Sequence, residues 1–376
     1  MAVKVLQLVD RLGGGGVAQV ALNTVLGLNR DVFEPLVCTT RTLPTLDHAA
    51  MLGDAGIELI ELPRKSQFDI FAWRKLLRIL PECTIIHSHD STSNLYGRLW
   101  GELFKVPIII AHDHLSADIK TRSASVGDKL LKNWSDRHIA ISEANKAMMI
   151  SYEGHQAENI SLIYNGIDLA RFQLGISKHC ARTKIGLPQD KKVITMIANF
   201  TPAKNHTRLF QAIKLIETNF AGKICCFVVG EGPLEEQIKQ SVTQIGVQDL
   251  VQFGGQRSDI PLVLRASDVL VLPSVSESLP ITILEALAAG CPIVTTPVGG
   301  IPEILEGVAW PMVDPSDPQQ IANAIVEVLN MPDEKRQQIV KKGRERVEST
   351  FSRQVYVSKI EELYTELLKA KQIDFS

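Results

Sequence analysis

Apolar residues along this chain gather in short runs, each followed by a longer segment in which they recur at helical spacing. In the first half the runs cover 3–9, 33–39, 57–62, 84–86, 106–111 and 137–141. The periodicity between them predicts helices over 17–28, 46–55, 69–80 and 142–152. The second half repeats the rhythm, with runs at 193–198, 226–229, 267–272 and 292–296. Its helices are expected from 234 onward, over 281–289, and near 318–329, 334–349 and 353–368. Strands that alternate with helices are βαβ units, and their strands line up in parallel sheets. A chain of 376 residues is too long for one comfortable core and suits two such domains. The polar segment 173–192, with Gly186 and Pro188, reads as a hinge between them.

The most informative stretch is 273–300, PSVSESLPITILEALAAGCPIVTTPVGG. Ser276, Ser278 and Pro280 read as a helix start with proline in the first turn, and Gly290 as the stop. Two carboxylates lie in this strand–loop–helix unit with seven residues between them: Glu277 just outside the helix and Glu285 inside it. Free N–H groups at such a terminus suit a phosphate. One carboxylate can accept from both hydroxyls of a ribose, and another beside a sugar ring can hold its hydroxyls and steady positive charge at the anomeric carbon. By spacing alone, the same pair fits an ordinary turn with one capping and one exposed glutamate.

The whole string resembles the C-terminal signature of retaining GT-B glycosyltransferases of family 4. The match consists of Pro273-Ser274, Glu277 and Glu285, Glu285-Ala286, Gly290 and Pro292, and Gly299-Gly300 ahead of Glu303; Ser278 stands where the family more often has glycine. The resemblance runs over essentially the whole chain and is strongest over 193–305. It implies an α/β GT-B fold: two Rossmann-like, doubly wound parallel-sheet domains facing across a cleft, with the C-terminal helix crossing back to the first. The expected division is an acceptor-binding domain over 1–170, a nucleotide-sugar-binding domain over 171–350, and that helix over 351–376. Asn165-Gly166 and Asp168 match the family's link between domains, and Asn-Gly is independently a turn signal.

Individual positions carry different roles under the resemblance. Gly14, Gly15 and Gly16 follow the first strand and precede a helix, a geometry in which backbone can approach an anion; they match the family loop that faces the donor diphosphate. His87, His89, His112 and His114 cluster at the ends of two strands, where doubly wound sheets bind ligands. The family carries one histidine close to the donor sugar, and either His112 or His114 fills that place. Paired histidines also raise a metal site, but no ligand set of known spacing accompanies them, so none is expected. Lys204 matches the lysine that holds the diphosphate, whereas Asn199 occupies the position of its partner arginine and can still donate a hydrogen bond. Gly230 lies in a Gly-x-Gly-Pro motif, and the backbone at Gln256 and Arg257 is implied to border the nucleotide base. N–H groups at Ser278 and Leu279 complete the diphosphate site, with Glu277 on the sugar and Glu285 on the ribose.

Composition adds exclusions. A net charge of −2 gives no reason to expect nucleic acid. No run approaches the ~20 apolar residues of a membrane span, and the first residues read as a strand rather than a signal peptide. Six cysteines without a CxxC fit reduced core residues of a cytoplasmic protein. Arg64, Lys65, Arg74, Lys75 and Arg78 interleave with Phe68, Ile70, Phe71 and Trp73. That segment reads as an amphipathic helix packed on its own sheet, with peripheral contact to the inner face of a membrane bearing a lipid-linked acceptor as the alternative. The expected activity is retaining transfer, without metal or other cofactor, from a nucleotide sugar (UDP by its commonness in the family) to a glycan or lipid-linked acceptor in polysaccharide biosynthesis. The rivals are a nucleotide-sugar epimerase of GT-B fold and, given Asn199, a degenerate binding protein; an NAD-binding oxidoreductase lacks its glycine fingerprint.

Overall fold

The computed structural model describes residues 2–13, 15–41, 46–62, 64, 69–114, 122–220 and 222–375. The chain separates into two units, Met1–Ile167 together with Ser352–Ser376, and Asp168–Phe351. The first holds β1 (Val3–Val9), β2 (Phe33–Thr39), β3 (Glu58–Glu61), β4 (Ile85–His89), β5 (Ile108–Asp113), β6 (Arg137–Ala140) and β7 (Ile160–Leu162). They form one sheet in the order β3-β2-β1-β4-β5-β6-β7, every pair parallel. The second unit holds β8 (Lys192–Ile197), β9 (Ile224–Val229), β10 (Val251–Gly255), β11 (Val269–Leu272) and β12 (Ile293–Thr295), parallel throughout in the order β10-β9-β8-β11-β12. The central strands β8, β9 and β11 are buried almost end to end, as expected of strands covered by helices on both faces. This is the doubly wound α/β architecture of the GT-B fold.

Strand order reverses between β1 and β4 in one sheet and between β8 and β11 in the other. At such a reversal the connections leave in opposite directions and open a crevice beyond the carboxyl ends of the strands. The loops after β8 and β11 carry Lys204 and Glu277, so topology alone brings these two residues to one place.

The last helix, Arg353–Ala370, belongs to the first unit. Ser352 caps it by accepting from the Val355 N–H, and its Tyr356 hydroxyl meets Thr24 Oγ1 at 2.7 Å on helix Gly16–Gly27. A Cβ on Gly166 would lie 2.5 Å from that of Tyr356, so only hydrogen fits where the linking turn passes under the helix.

Two local expectations are corrected. Segment 173–192 is not a plain hinge: it folds as helix Lys178–Ile185, because Ser177 caps the start by accepting from Cys180 N–H at 3.1 Å and Gly186, at φ 73°, closes the end. Segment 69–80 is broken into a 3-10 turn, Ile70–Trp73, and a short helix, Arg74–Ile79. Trp73, Leu76 and Leu80 pack into the core with Leu6, Leu8 and Ile60, and the Arg64 guanidinium lies over the rings of Trp73 and Tyr96, 5.5 and 5.0 Å from their centroids. Arg64 and Trp73 are therefore interior residues, while Phe71 stands 91% exposed with Arg74, Lys75 and Arg78 at the surface; Lys65 and Phe68 lie outside the described residues. The histidines stand at the strand ends, as expected: His87 and His89 close β4, His112 lies near the end of β5, and His114 follows directly. No helix among the described residues is long and apolar enough to cross a membrane.

Candidate active site

The loop after β8 makes one 3-10 turn, Pro202–Lys204, and reverses at Asn205, whose φ of 59° is left-handed. Asparagine tolerates that conformation better than most side chains. Here its amide also donates to the carbonyl oxygens of Pro273 at 3.1 Å and Pro315 at 2.8 Å. With Val275 N–H donating to Ala203 O at 2.9 Å, the loop after β8 is fastened to the loop after β11.

The consequence is an ion pair. Lys204 Nζ donates to both oxygens of Glu277, at 2.6 and 2.7 Å, and Ser274 Oγ donates to Oε1 at 2.7 Å. Ser274 is held in turn by Thr296 Oγ1, which donates to its carbonyl at 2.7 Å. Glu277 is buried, whereas the Lys204 side chain keeps a fifth of its surface in water. Behind Glu277 a Cβ on Gly299 would lie 1.8 Å from the Glu277 carbonyl oxygen, and the φ of Gly299 is 56°. Glycine there is what lets the two loops close.

The helix expected at 281–289 is observed as Ile281–Ala289 and ends at Gly290, φ 70°. Its start differs from the sequence reading. Pro280 occupies the cap position itself, and neither Ser276 nor Ser278 caps it, because an extended Pro280 carries the chain past them. No hydrogen bond among the described residues engages the N–H of Ser278 or Leu279. The terminus thus keeps donors for an anion, next to the Lys204 ammonium.

Glu285 lies one turn into this helix and keeps some access to water while protein atoms surround its carboxyl group. That desolvation pushes it up to about 7 from the usual 4.5, with Arg171 acting in the opposite direction. The neutral form favoured by the fold is fully populated below 4.5, and its advantage disappears as pH rises through 7. Glu285→Gln is therefore expected to unfold at higher urea than wild type at pH 8, by about 1–3 kcal/mol after allowing for its partial exposure, with the gap closing towards pH 4.5. Urea titrations at both pH values check this, and a stability loss at pH 8 would contradict it.

The remaining positions in this unit are less embedded. Gly230, at φ 141°, passes so close to Ala198 that a Cβ would sit 2.0 Å from its carbonyl oxygen. Asn199 is exposed and its side chain bonds to no other described residue. Gln256 is exposed, while Arg257 is held by Asp259 in a two-pronged pair at 2.7 and 2.6 Å. His206 escaped the sequence reading: it is buried behind Lys204, edge-on to Phe200, and burial lowers it to about 4.

In the first unit, Gly15 and Gly16 are exposed at the start of helix Gly16–Gly27, which has no side-chain cap; Gly14 lies outside the described residues. The β1–β4–β5 register aligns Gln7 with His87 and His89 with His112. Residues two apart share a face of a sheet, so Gln7 and the four histidines form one buried patch. His87 Nε2 meets His112 Nδ1 at 3.1 Å, and His89 Nδ1 meets His114 Nε2 at 3.1 Å. His89 Nε2 meets Gln7 Oε1 at 2.7 Å. Tyr364, from the last helix, accepts from Gln7 Nε2 at 2.9 Å and meets His87 Nδ1 at 2.6 Å. Burial brings His87 and His114 down to about 3 and His89 and His112 well below their ordinary value, so all four rings are neutral. Ring nitrogens of His87, His89 and His112 lie close enough to raise a metal site. Apart from His112 Nε2, the nitrogens of these three rings are engaged by one another, by His114, by Gln7 and by Tyr364.

Known proteins resemble the chain over most of its length. Residues 14–171 match the family described as Glycosyltransferase Family 4, and residues 178–346 match Glycosyl transferases group 1. The UDP-Gal:alpha-D-GlcNAc-diphosphoundecaprenol alpha-1,3-galactosyltransferase of Escherichia coli is 30% identical over 91% of this chain and 85% of its own length. The D-inositol 3-phosphate glycosyltransferase of Mycolicibacterium smegmatis is 28% identical over 65% of this chain and 59% of its own length. Among solved structures, HepE of Anabaena in complex with UDP and glucose superimposes with a TM-score of 0.84 over 97% of this chain and 100% of its own, at 20% identity.

Proposed function

The chain belongs to glycosyltransferase family 4, and from that membership we propose that it is a retaining hexosyltransferase. It moves a sugar from UDP to a glycan or lipid-linked acceptor in cell-surface polysaccharide biosynthesis. The observation that carries this reading is the Lys204–Glu277 pair at the β8–β11 reversal, beside the uncapped start of helix Ile281–Ala289. The relative named for UDP-Gal and a diphosphoundecaprenol substrate, and the HepE complex with UDP and glucose, support UDP as the nucleotide.

In this mechanism the diphosphate lies against the N–H groups of Ser278 and Leu279, and Lys204 turns from Glu277 to it. Glu277, released, accepts from hydroxyls of the donor sugar; Glu285 accepts from the ribose; Gly230, Asn199 and the backbone at Gln256 and Arg257 border the nucleotide. Gly15 and Gly16 contribute N–H groups to the diphosphate, and His112 rather than His114 serves the sugar. The acceptor hydroxyl oxygen forms its bond to the anomeric carbon as the bond to the diphosphate breaks, and its proton passes to the departing phosphate oxygen. Attack on the same face leaves the anomeric configuration unchanged. Fixed cationic and N–H donors stabilise the leaving charge, so transfer proceeds without a divalent metal. Exposed Phe71 with Arg74, Lys75 and Arg78 supports a cytoplasmic protein that touches the inner face of the membrane.

The test is nuclear magnetic resonance of the protein with UDP-, GDP- and ADP-sugars, with and without chelator. Slow release of UDP from one donor, indifferent to chelator, is expected. Conversion of the donor to its epimer would replace this reading with the epimerase, and no turnover with any donor or acceptor would leave a binding protein.

A further inference from the structure

The buried patch on the first sheet is a continuous chain of hydrogen bonds, and its proton positions follow link by link. Gln7 turns its amide oxygen to His89 and its amide nitrogen to Tyr364. An amide oxygen only accepts, so His89 carries its proton on Nε2 and receives, on Nδ1, a bond from His114 Nε2–H. On the other branch, Tyr364 already accepts from Gln7 and points its own proton at His87 Nδ1. A neutral His87 then carries its proton on Nε2 and donates it to His112 Nδ1. His112 must therefore be protonated on Nε2, the one ring nitrogen of the four-histidine stack that is buried without a partner among the described residues.

We propose that Gln7 and Tyr364 are positioning residues that, through His87, lock His112 in its Nε2–H form, so that it presents a donor and never an acceptor. The proposal builds on the assignment of His112 to the donor sugar and gives that assignment a direction: the ring donates to a sugar oxygen. The arrangement also explains why an interior this polar is tolerated. Each ring and hydroxyl proton in the relay other than that of His112 has an acceptor, and the ring N–H left over is the one reserved for ligand. Reversing any link would turn the His112 Nε2 into a lone pair and face it towards hydroxyls it could only accept from. Strand register supplies the histidines, but the polarity is set by the last helix, which makes Tyr364 a functional reason for that helix to lie on this sheet.

Long-range proton–nitrogen correlation spectra of the 15N-labelled full chain read the tautomer of each histidine directly, with assignment by single His→Gln variants. His87, His89, His112 and His114 should all appear as neutral Nε2–H rings between pH 6 and 8. In Tyr364→Phe, which keeps the ring and removes the proton aimed at His87, His87 and His112 should become tautomer mixtures, while His89 and His114, held by Gln7, stay unchanged. A purely structural role for Tyr364 would soften the helix but leave the tautomers alone. An Nδ1–H or doubly protonated His112 in the wild type, or a Tyr364→Phe spectrum with His112 still wholly Nε2–H, overturns the proposal. The same variant should lose about five- to tenfold in kcat/KM for the nucleotide sugar, the scale of one net hydrogen bond. Mixed tautomers with undiminished activity would uphold the lock and remove His112 from the sugar site.

Discussion

Lys204→Ala is expected to lower kcat/KM for the nucleotide sugar by about 10²–10³-fold, the typical loss of one preorganised donor aimed at developing charge. Two effects combine. The leaving diphosphate loses a cation, and the buried Glu277 carboxylate loses two of its hydrogen bonds, retaining that of Ser274. Stripping the partner from a buried charge is costly in itself, about 3–5 kcal/mol where burial is complete and less here, where the Lys204 side chain is one-fifth exposed. The variant should thus melt at lower temperature as well as turn over slowly. Steady-state kinetics alongside thermal melts separate the two, because folded Lys204→Ala should still show the rate loss at a temperature where it is fully native. A native variant with wild-type turnover would remove Lys204 from the site.

Glu277→Gln is expected to act differently. The amide is isosteric and can still accept from Ser274, so the loop between Pro273 and Gly299 should hold. Lys204, no longer tied to a carboxylate, is free to meet the diphosphate. UDP alone should therefore bind as tightly as before or more tightly, whereas turnover of UDP-sugar should fall by about 10²–10³-fold, because the negative charge beside the sugar is gone. Titration calorimetry with UDP and kinetics with UDP-sugar form the check. Weakened UDP binding with unimpaired turnover would contradict the assignment of Glu277 to the sugar. In the double variant the losses should not add, since the two residues share one ion pair.

Much of this geometry could be read from the sequence because it is local. The apolar rhythm gave parallel sheets, and the Glu277–Glu285 spacing straddles a single helix start, so both carboxylates could be placed from one stretch of chain. Lys204 was legible only through family resemblance, since periodicity says nothing about which lysine at a loop end faces inward. Ser274, Asn205 and Gly299 show their roles only in three dimensions: each fastens one loop to another more than 20 residues away or holds the carboxylate that the other loop binds. The histidines mark the limit most clearly. Spacing paired His87 with His89 and His112 with His114 but could not say which would be the donor. Strand register is a long-range property, and Tyr364, which sets the direction of the relay, lies 277 residues from His87. Helix Lys178–Ile185 was missed for a simpler reason, because a polar composition concealed a good cap and a glycine stop.

The central property of this protein is that Asp168–Phe351 should hold a nucleoside diphosphate with its own cation and helix terminus. The most direct measurement is calorimetric titration of UDP into the full chain in the presence of a chelator, for wild type and Lys204→Ala. One saturable site in the wild type, weakened at least tenfold by the substitution, is the predicted result. No binding to wild type, binding only after a divalent metal is added, or equal affinity in the two proteins would contradict it.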